Sequence, residues 1–309
     1  MSVFAIGNAL AVGAIFSLIA LGSFLAFRIL RFPDLTCDGA YSLGACSAAV
    51  LTATTAGRAF ALPAAFVVGA AAGLATALMY TRLRFPPIVA GILVVAASYS
   101  VNLFQMGAPN RPIEVENTIF ASLDRWVAAG DGVAAKMAYR YAVYPACLLA
   151  VSAFAFLVIW RLLVSEIGLR VRCVGAHTRL APRLGINVER STLVTLALAN
   201  GTIGLAGGLF SQYQRFADVN MGTGIVMGAL ASVFLGQAFE GLGRTKPIGL
   251  ARQLTGVFAG ALLYRLLVSF AYDLGLPTSA YNLLTATLVF VALLFPRIRT
   301  TWVEAFQRK

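Results

Sequence analysis

The chain is poor in the residues on which enzyme chemistry most often rests. It has one histidine, His177, and three lysines, Lys136, Lys246 and Lys309. A single histidine excludes an HExxH zinc helix. No lysine stands in a G-x-x-x-x-G-K-[ST] loop, so the chain has no P-loop, and any ATP hydrolysis falls to another polypeptide. No G-x-S-x-G elbow occurs, and His177 lies in a basic stretch away from any serine of an apolar segment. The four cysteines, Cys37, Cys46, Cys147 and Cys173, show no C-x-x-C spacing and read as small packing residues. A two-aspartate protease needs facing carboxylates in different spans, and only Asp38 reads as buried.

What the chain has instead is apolar length. Of its 309 residues 60% are hydrophobic and 12% charged, and the mean hydropathy is +0.83. That composition suits an all-α polytopic membrane protein. A spanning helix needs about 20 mostly apolar residues. Such stretches lie near 5–27, 36–56, 60–80, 87–108, 140–164, 189–213, 219–238, 247–270 and 279–296. The expectation is about nine spans, within a range of eight to ten. The first reads as a retained span rather than a signal peptide, because its apolar run is long and Arg28 and Arg31 follow it. The organisation expected is one transmembrane domain over 1–309, with a first half of about 1–164, a loop of about 165–190 and a second half of about 191–296.

The net charge of +12 is divided among short loops, which favours a topology signal over a nucleic-acid surface. With the N-terminus outside, the inner loops hold Arg28, Arg31, Arg82, Arg84, six arginines from 161 to 190, Arg244, Lys246, Arg252, Arg297, Arg299, Arg308 and Lys309. The outer side holds Arg58, Arg111, Arg125, Lys136, Arg215 and Arg265. Seventeen bases against six predict N-out and C-in, and place the long loop from Gly107 to Tyr139 outside.

An internal echo accompanies this arrangement. Arg31-Phe-Pro-Asp-Leu-Thr36 recurs as Arg215-Phe-Ala-Asp-Val-Asn220, and Leu43-Gly-Ala45 matches Met227-Gly-Ala229 at the same offset of 184 residues. The copies precede the second and seventh segments. An odd number of spans between them predicts opposite orientations, the signature of an inverted repeat. Gly69/Gly73, Gly204/Gly208, Gly224/Gly228 and Gly256/Gly260 place small residues four apart, where helix backbones approach closely. The stretch from Asp218 to Ala238, polar at its start and rich in glycine, predicts a broken or re-entrant helix.

Polar residues within apolar segments are the candidates for function. A carboxylate at mid-membrane depth costs about 2.5–3.5 kcal/mol on insertion scales, so Asp38, beside Asp34 and Thr36, reads either as a pathway residue or as an interfacial cap. Thr36, Asp38, Asn102, Asn200 and Asn220 are the pathway candidates, with interhelical hydrogen bonding as the alternative for the asparagines. Gln105, Thr202 and Gln212 belong to the same polar set.

In the order of its motifs the chain resembles membrane permease subunits of bacterial ATP-binding-cassette importers, in the branched-chain amino acid, ribose and nucleoside permease superfamily. The first half carries Leu21-Gly22, then Phe32-Pro-Asp-Leu-Thr-Cys-Asp-Gly39 and Gly44-Ala45. The second carries Gly168-Leu-Arg170-Val-Arg172-Cys-Val-Gly175, then Ala181, Leu184-Gly-Ile-Asn-Val188 and the small residues Ala206, Gly207 and Gly208. His177 stands where the family often has asparagine. The Phe-Pro-Asp-Leu-Thr and Pro87-Ile-Val-Ala-Gly-Ile-Leu93 wording is similar to a branch associated with amino acids, including aromatic ones.

The resemblance implies a permease subunit that pairs with itself or a homologue in the bacterial inner membrane. It implies a cytoplasmic ATPase that binds ATP and magnesium, an external solute-binding protein, and no cofactor on this chain. It also implies that the basic loop is the coupling surface, with a short helix near Arg172–Leu184 bent by Pro182, and with Arg170, Arg172, His177 and Arg183 as ATPase-docking candidates. A secondary active transporter of the inverted-repeat type is the alternative.

Overall fold

The computed structural model describes residues 3–54, 57–121, 133–241, 249–277, 280–281, 283–292 and 294. Several residues counted in the charge argument, Arg125, Arg244, Lys246, Arg297, Arg299, Arg308 and Lys309, lie outside the described residues, as do Asp124 and Asp131. Each of the nine expected apolar segments is a helix. In chain order these are α1 (Val3–Ser23), α2 (Thr36–Leu51), α3 (Gly57–Thr81), α4 (Pro87–Met106), α5 (Val133–Val164), α7 (Val188–Gln214), α8 (Ile225–Gly241), α9 (Leu250–Asp273) and α10 (Leu283–Ala292), with α6 (Glu166–Ala176) in the basic loop.

Six of these are long and apolar enough to cross a bilayer: Ala5–Ile29, Gly57–Thr81, Pro87–Met106, Ala142–Val164, Val188–Gln214 and Leu250–Asp273. Three are shorter. At 16 residues α2 spans about 24 Å, less than the roughly 30 Å hydrocarbon core. It starts late because Arg31–Leu35 runs as non-helical chain. On the other side of the bundle α8 is shortened in the same way, since the turns of Val219–Gly224 precede it. The N-terminal boundary of α5, by contrast, lies several residues before the expected position 140.

The sequence of α1 is apolar all round and carries no charge until Arg28, so it can be buried on every face. It forms the centre of the bundle, against α5, α7, α8 and α9. The six residues that continue it, Phe24–Ile29, widen into a π-helical turn. By contrast α4 presents Ile88, Val89, Ile92, Leu93, Val101 and Phe104 outward, the last 92% exposed, as a lipid-facing helix does.

Close backbone approach sets the inner packing. A Cβ on Gly44 would collide with the carbonyl of Gly204, and one on Gly207 with that of Tyr41, so α2 and α7 touch backbone to backbone. The residues that meet rise together along both helices. Asp34 meets Asn200 at one end and Thr52 meets Gln212 at the other, so α2 and α7 run parallel.

This pair places the two echoed motifs at opposite ends of the bundle, as an inverted repeat requires. Their local structures correspond. Arg31 (φ 56) and Arg215 (φ 63) are both in the left-handed region, which non-glycine residues seldom occupy. Three residues on, Asp34 Oδ1 accepts the Thr36 N–H at 2.9 Å, and Asp218 Oδ1 accepts the Asn220 N–H at 2.7 Å. A two-stranded antiparallel pair, β1 (Asn110–Pro112) with β2 (Phe216–Asp218), ties the second motif to the long loop.

Candidate functional site

Beyond β2 the chain turns back into the bundle alongside α2. The Cys46 thiol donates to the Asp218 carbonyl at 3.9 Å, and a Cβ on Gly222 would collide with the carbonyl of Asp38. From Cys46 to Asp38 is about 12 Å of helix, so α8 begins that far in from the level of β2. The broken entry expected for this segment is therefore present. At its end Asp38 accepts two backbone N–H groups, Gly224 to Oδ2 at 3.1 Å and Val226 to Oδ1 at 3.0 Å. Asp38 is half-buried. Its carboxylate satisfies orphan donors at the positive end of a helix dipole, so it is a cap on a helix remote in sequence rather than on its own.

Asp34, which the sequence reading did not count as buried, is the more deeply buried acid, with no exposed surface. The expectation that only Asp38 is buried is thus corrected. Asp34 lies in the non-helical entry to α2, which folds inward against α7. Its Oδ2 receives Asn200 Nδ2 at 2.7 Å, and that amide nitrogen also donates to Leu196 O at 3.1 Å. Two acceptors on one side fix the amide orientation, since a flipped Asn200 would set oxygen against carboxylate. Asn200 Oδ1 is left buried without a partner. Beside it Thr36 Oγ1 and Thr76 Oγ1 share a hydrogen bond of 2.6 Å, joining α2 to α3.

Asn102 belongs to a separate chain of polar contacts between α2 and α4. Ser42 donates to Gly39 O at 3.1 Å, Asn102 Nδ2 to Ser42 Oγ at 3.1 Å, Gln105 Nε2 to Asn102 Oδ1 at 3.1 Å and Ser47 to Gln105 Oε1 at 3.2 Å. Asn220 is exposed, in the turns before α8, where its carbonyl accepts the Thr223 N–H. The five pathway candidates thus fall in four places. Thr36 and Asn200 meet around Asp34, Asp38 stands one turn along at the start of α8, and Asn102 and Asn220 lie apart.

The basic loop differs from the single helix expected over Arg172–Leu184. α6 ends at Ala176, because His177 leaves helical geometry (φ −147, ψ 81). A separate 3₁₀ turn, Ala181–Leu184, then forms with Pro182 in its first turn and Gly185 as a left-handed cap. Arg170, His177 and Arg183 are exposed, and Arg170 lies 3.6 Å from Glu166. Arg172 is only half-buried on the inner side, its Nε buried and unpartnered. Arg179, Leu180 and Leu184 complete the exposed ledge, with Leu184 62% and Leu180 45% exposed. The ledge is tied to the bundle through Gly175, where a Cβ would collide with the carbonyl of Ile29 at the end of the π-helical turn.

Sequence reasoning missed Asp34, Thr76 and Arg265. For Asp34 the only signal was its echo in Asp218. Arg265, counted among the outer loop charges, lies eight residues inside the end of α9, about 12 Å from it.

Comparison with known proteins agrees with this architecture. The family model described as branched-chain amino acid transport system / permease component matches residues 5–294. A tyrosine transport system permease protein of Clostridioides difficile (strain R20291) is 29% identical over 279 residues, covering 90% of this chain and 87% of that protein. An uncharacterized protein of Rickettsia prowazekii (strain Madrid E) is 28% identical over 276 residues, covering 88% of this chain and 91% of the relative. No solved structure matches the chain. With apolar helices throughout and the family match running from the first span to the last, the chain is a multi-pass membrane protein that belongs to the permease-component family of branched-chain amino acid transport systems.

Proposed function

We propose that this chain is the membrane permease subunit of an ATP-driven importer for an amino acid, with an aromatic amino acid as the favoured solute. ATP and magnesium bind a separate ATPase subunit, and an external binding protein delivers the solute. Two permease subunits, identical or homologous, form the pathway in the bacterial inner membrane, N-out and C-in. The choice of solute rests on the tyrosine permease relative, which aligns over nine-tenths of this chain.

The observation that carries the ATP-driven reading is the ledge between α6 and α7. Leu180 and Leu184 stand exposed outside the spans, flanked by the exposed Arg179 and Arg183, on a segment anchored to the bundle by the buried Ala181. Exposed leucines on a basic rim suit a protein partner with an apolar groove and acidic edges. Movement of the ledge reaches the bundle through the contact of Gly175 with Ile29, two residues before the entry to α2. A rigid-body shift of α6 would therefore act on the segment that holds Asp34 and its bond to Asn200.

The test is co-expression with the ATPase encoded beside it. The wild-type pair is expected to co-purify in detergent and to drive ATP-dependent tyrosine uptake in proteoliposomes. The double variant Leu184→Asp, Arg183→Glu should lose co-purification at least tenfold while the permease alone keeps its elution profile and Tm. Gradient-driven uptake by the chain alone, with no ATPase bound, would replace this reading with a secondary transporter.

A further inference from the structure

The polar cluster at the entry to α2 is short of positive charge. Asp34 of that entry, Thr36 of α2, Thr76 of α3 and Asn200 of α7 have no exposed surface. The contacts that join them are direct. Asp34 Oδ2 accepts Asn200 Nδ2 at 2.7 Å, Asp34 Oδ1 accepts the Thr36 N–H at 2.9 Å, and the Thr36 and Thr76 hydroxyls meet at 2.6 Å. Among the described residues no basic side chain pairs with Asp34. Two neutral N–H donors do not cancel the charge of a carboxylate, and a buried charge without an opposite one is costly.

Beside that carboxylate stands a surplus of acceptors. The Asn200 amide nitrogen is spent on Asp34 Oδ2 and on Leu196 O, while Asn200 Oδ1 has no partner. That oxygen belongs to the same amide, so it lies within about 5 Å of Asp34 Oδ2, the 2.7 Å bond plus the width of the group. Buried amide oxygens almost always find a donor. Whichever of Thr36 and Thr76 donates in the bond they share, each oxygen keeps a free lone pair. Asp34 also stands in the non-helical stretch Arg31–Leu35, and broken backbone of this kind is where membrane bundles hold ions.

We propose that Asp34, Asn200 Oδ1 and the hydroxyls of Thr36 and Thr76 form a binding site for a bare monovalent cation, sodium before potassium. The donor set is all oxygen, which suits a hard cation. One carboxylate balances one positive charge, so a divalent ion would stay half-neutralised. The close spacing of the oxygens favours the smaller ion, and the closure of all four side chains from solvent favours an ion without an organic body. An occupied site fastens the entry of α2 to α3 and α7 at once. The site does not depend on the importer reading, because it is tested on the chain alone, with neither ATPase nor solute.

The probe is sodium chloride, titrated into the purified full chain in detergent against choline chloride at equal ionic strength, with the thermal midpoint as the readout. Sodium at about fifteen times its dissociation constant is expected to raise the midpoint by about 3–6 °C, and potassium by less. Asp34→Asn removes the balancing charge and should abolish the difference between sodium and choline. Thr76→Val keeps the branched shape and removes one oxygen. It should raise the half-saturating sodium concentration at least threefold, and it keeps the test decisive where Asp34→Asn does not fold. Equal wild-type midpoints in sodium and choline would overturn the site, and a midpoint that then rises on acidification would assign the missing positive charge to a proton. A sodium response that survives Asp34→Asn, or a half-saturation unchanged in Thr76→Val, would overturn it as well.

Discussion

Asp38→Ala is the most informative single perturbation of the bundle. The carboxylate accepts the N–H groups of Gly224 and Val226 at the start of α8, 186 and 188 residues away. Removing it leaves two donors unsatisfied at a helix start placed inside the membrane. Each such loss costs about 1–3 kcal/mol. Because Asp38 is half-buried, water replaces part of the loss, and the net cost is about 2–4 kcal/mol. At about 2–4 °C per kcal/mol, a loss of about 3 kcal/mol lowers the thermal midpoint by roughly 6–12 °C. Asp38→Asn keeps one acceptor and loses the charge that complements the helix dipole, for a cost of about 1 kcal/mol. The assay is thermal unfolding in detergent at one scan rate, read by size-exclusion fluorescence, alongside uptake. Stability should fall in the order wild type, Asp38→Asn, Asp38→Ala. A midpoint for Asp38→Ala within about 2 °C of wild type would refute the capping argument, since that corresponds to under about 1 kcal/mol. Wild-type stability of Asp38→Asn with uptake abolished would add a pathway role to the cap.

Two further outcomes follow from the packing. Gly44→Ala sets a methyl against the Gly204 carbonyl and must push α2 from α7, so it should cost about 1–3 kcal/mol or more and lower the yield of monodisperse protein. Glu189→Gln removes the partner of Arg82, an exposed pair at 2.8 Å, and should change stability by less than about 1 kcal/mol in the same thermal assay.

The nine apolar segments were legible because the bilayer imposes a length on them, and length is written locally in the chain. So was the basic loop between α5 and α7, since a cluster of arginines between apolar runs has no place in lipid. The echo around Arg31 and Arg215 was legible as well, and the left-handed arginines and matching Asp34 and Asp218 turns give it a structural basis. What the chain alone left open was the fate of each polar group inside the bundle. Asp34 and Asp38 are four residues apart and alike in sequence context, yet one is sealed against Asn200 and the other caps α8. Those partners lie 166 and 186 positions away, and no local pattern encodes which helices will touch. The helix within the basic loop ends at Ala176, where His177 leaves helical geometry, and the packing of its Gly175 on Ile29 is again a contact that no local pattern encodes. Arg265 counted as a loop charge until α9 carried it to the Phe16 ring. Apolar length is a property of each segment by itself. The pairing of buried polar groups depends on which segments meet, and that was decided only when α2 closed on α7 and α8, and α9 on α1.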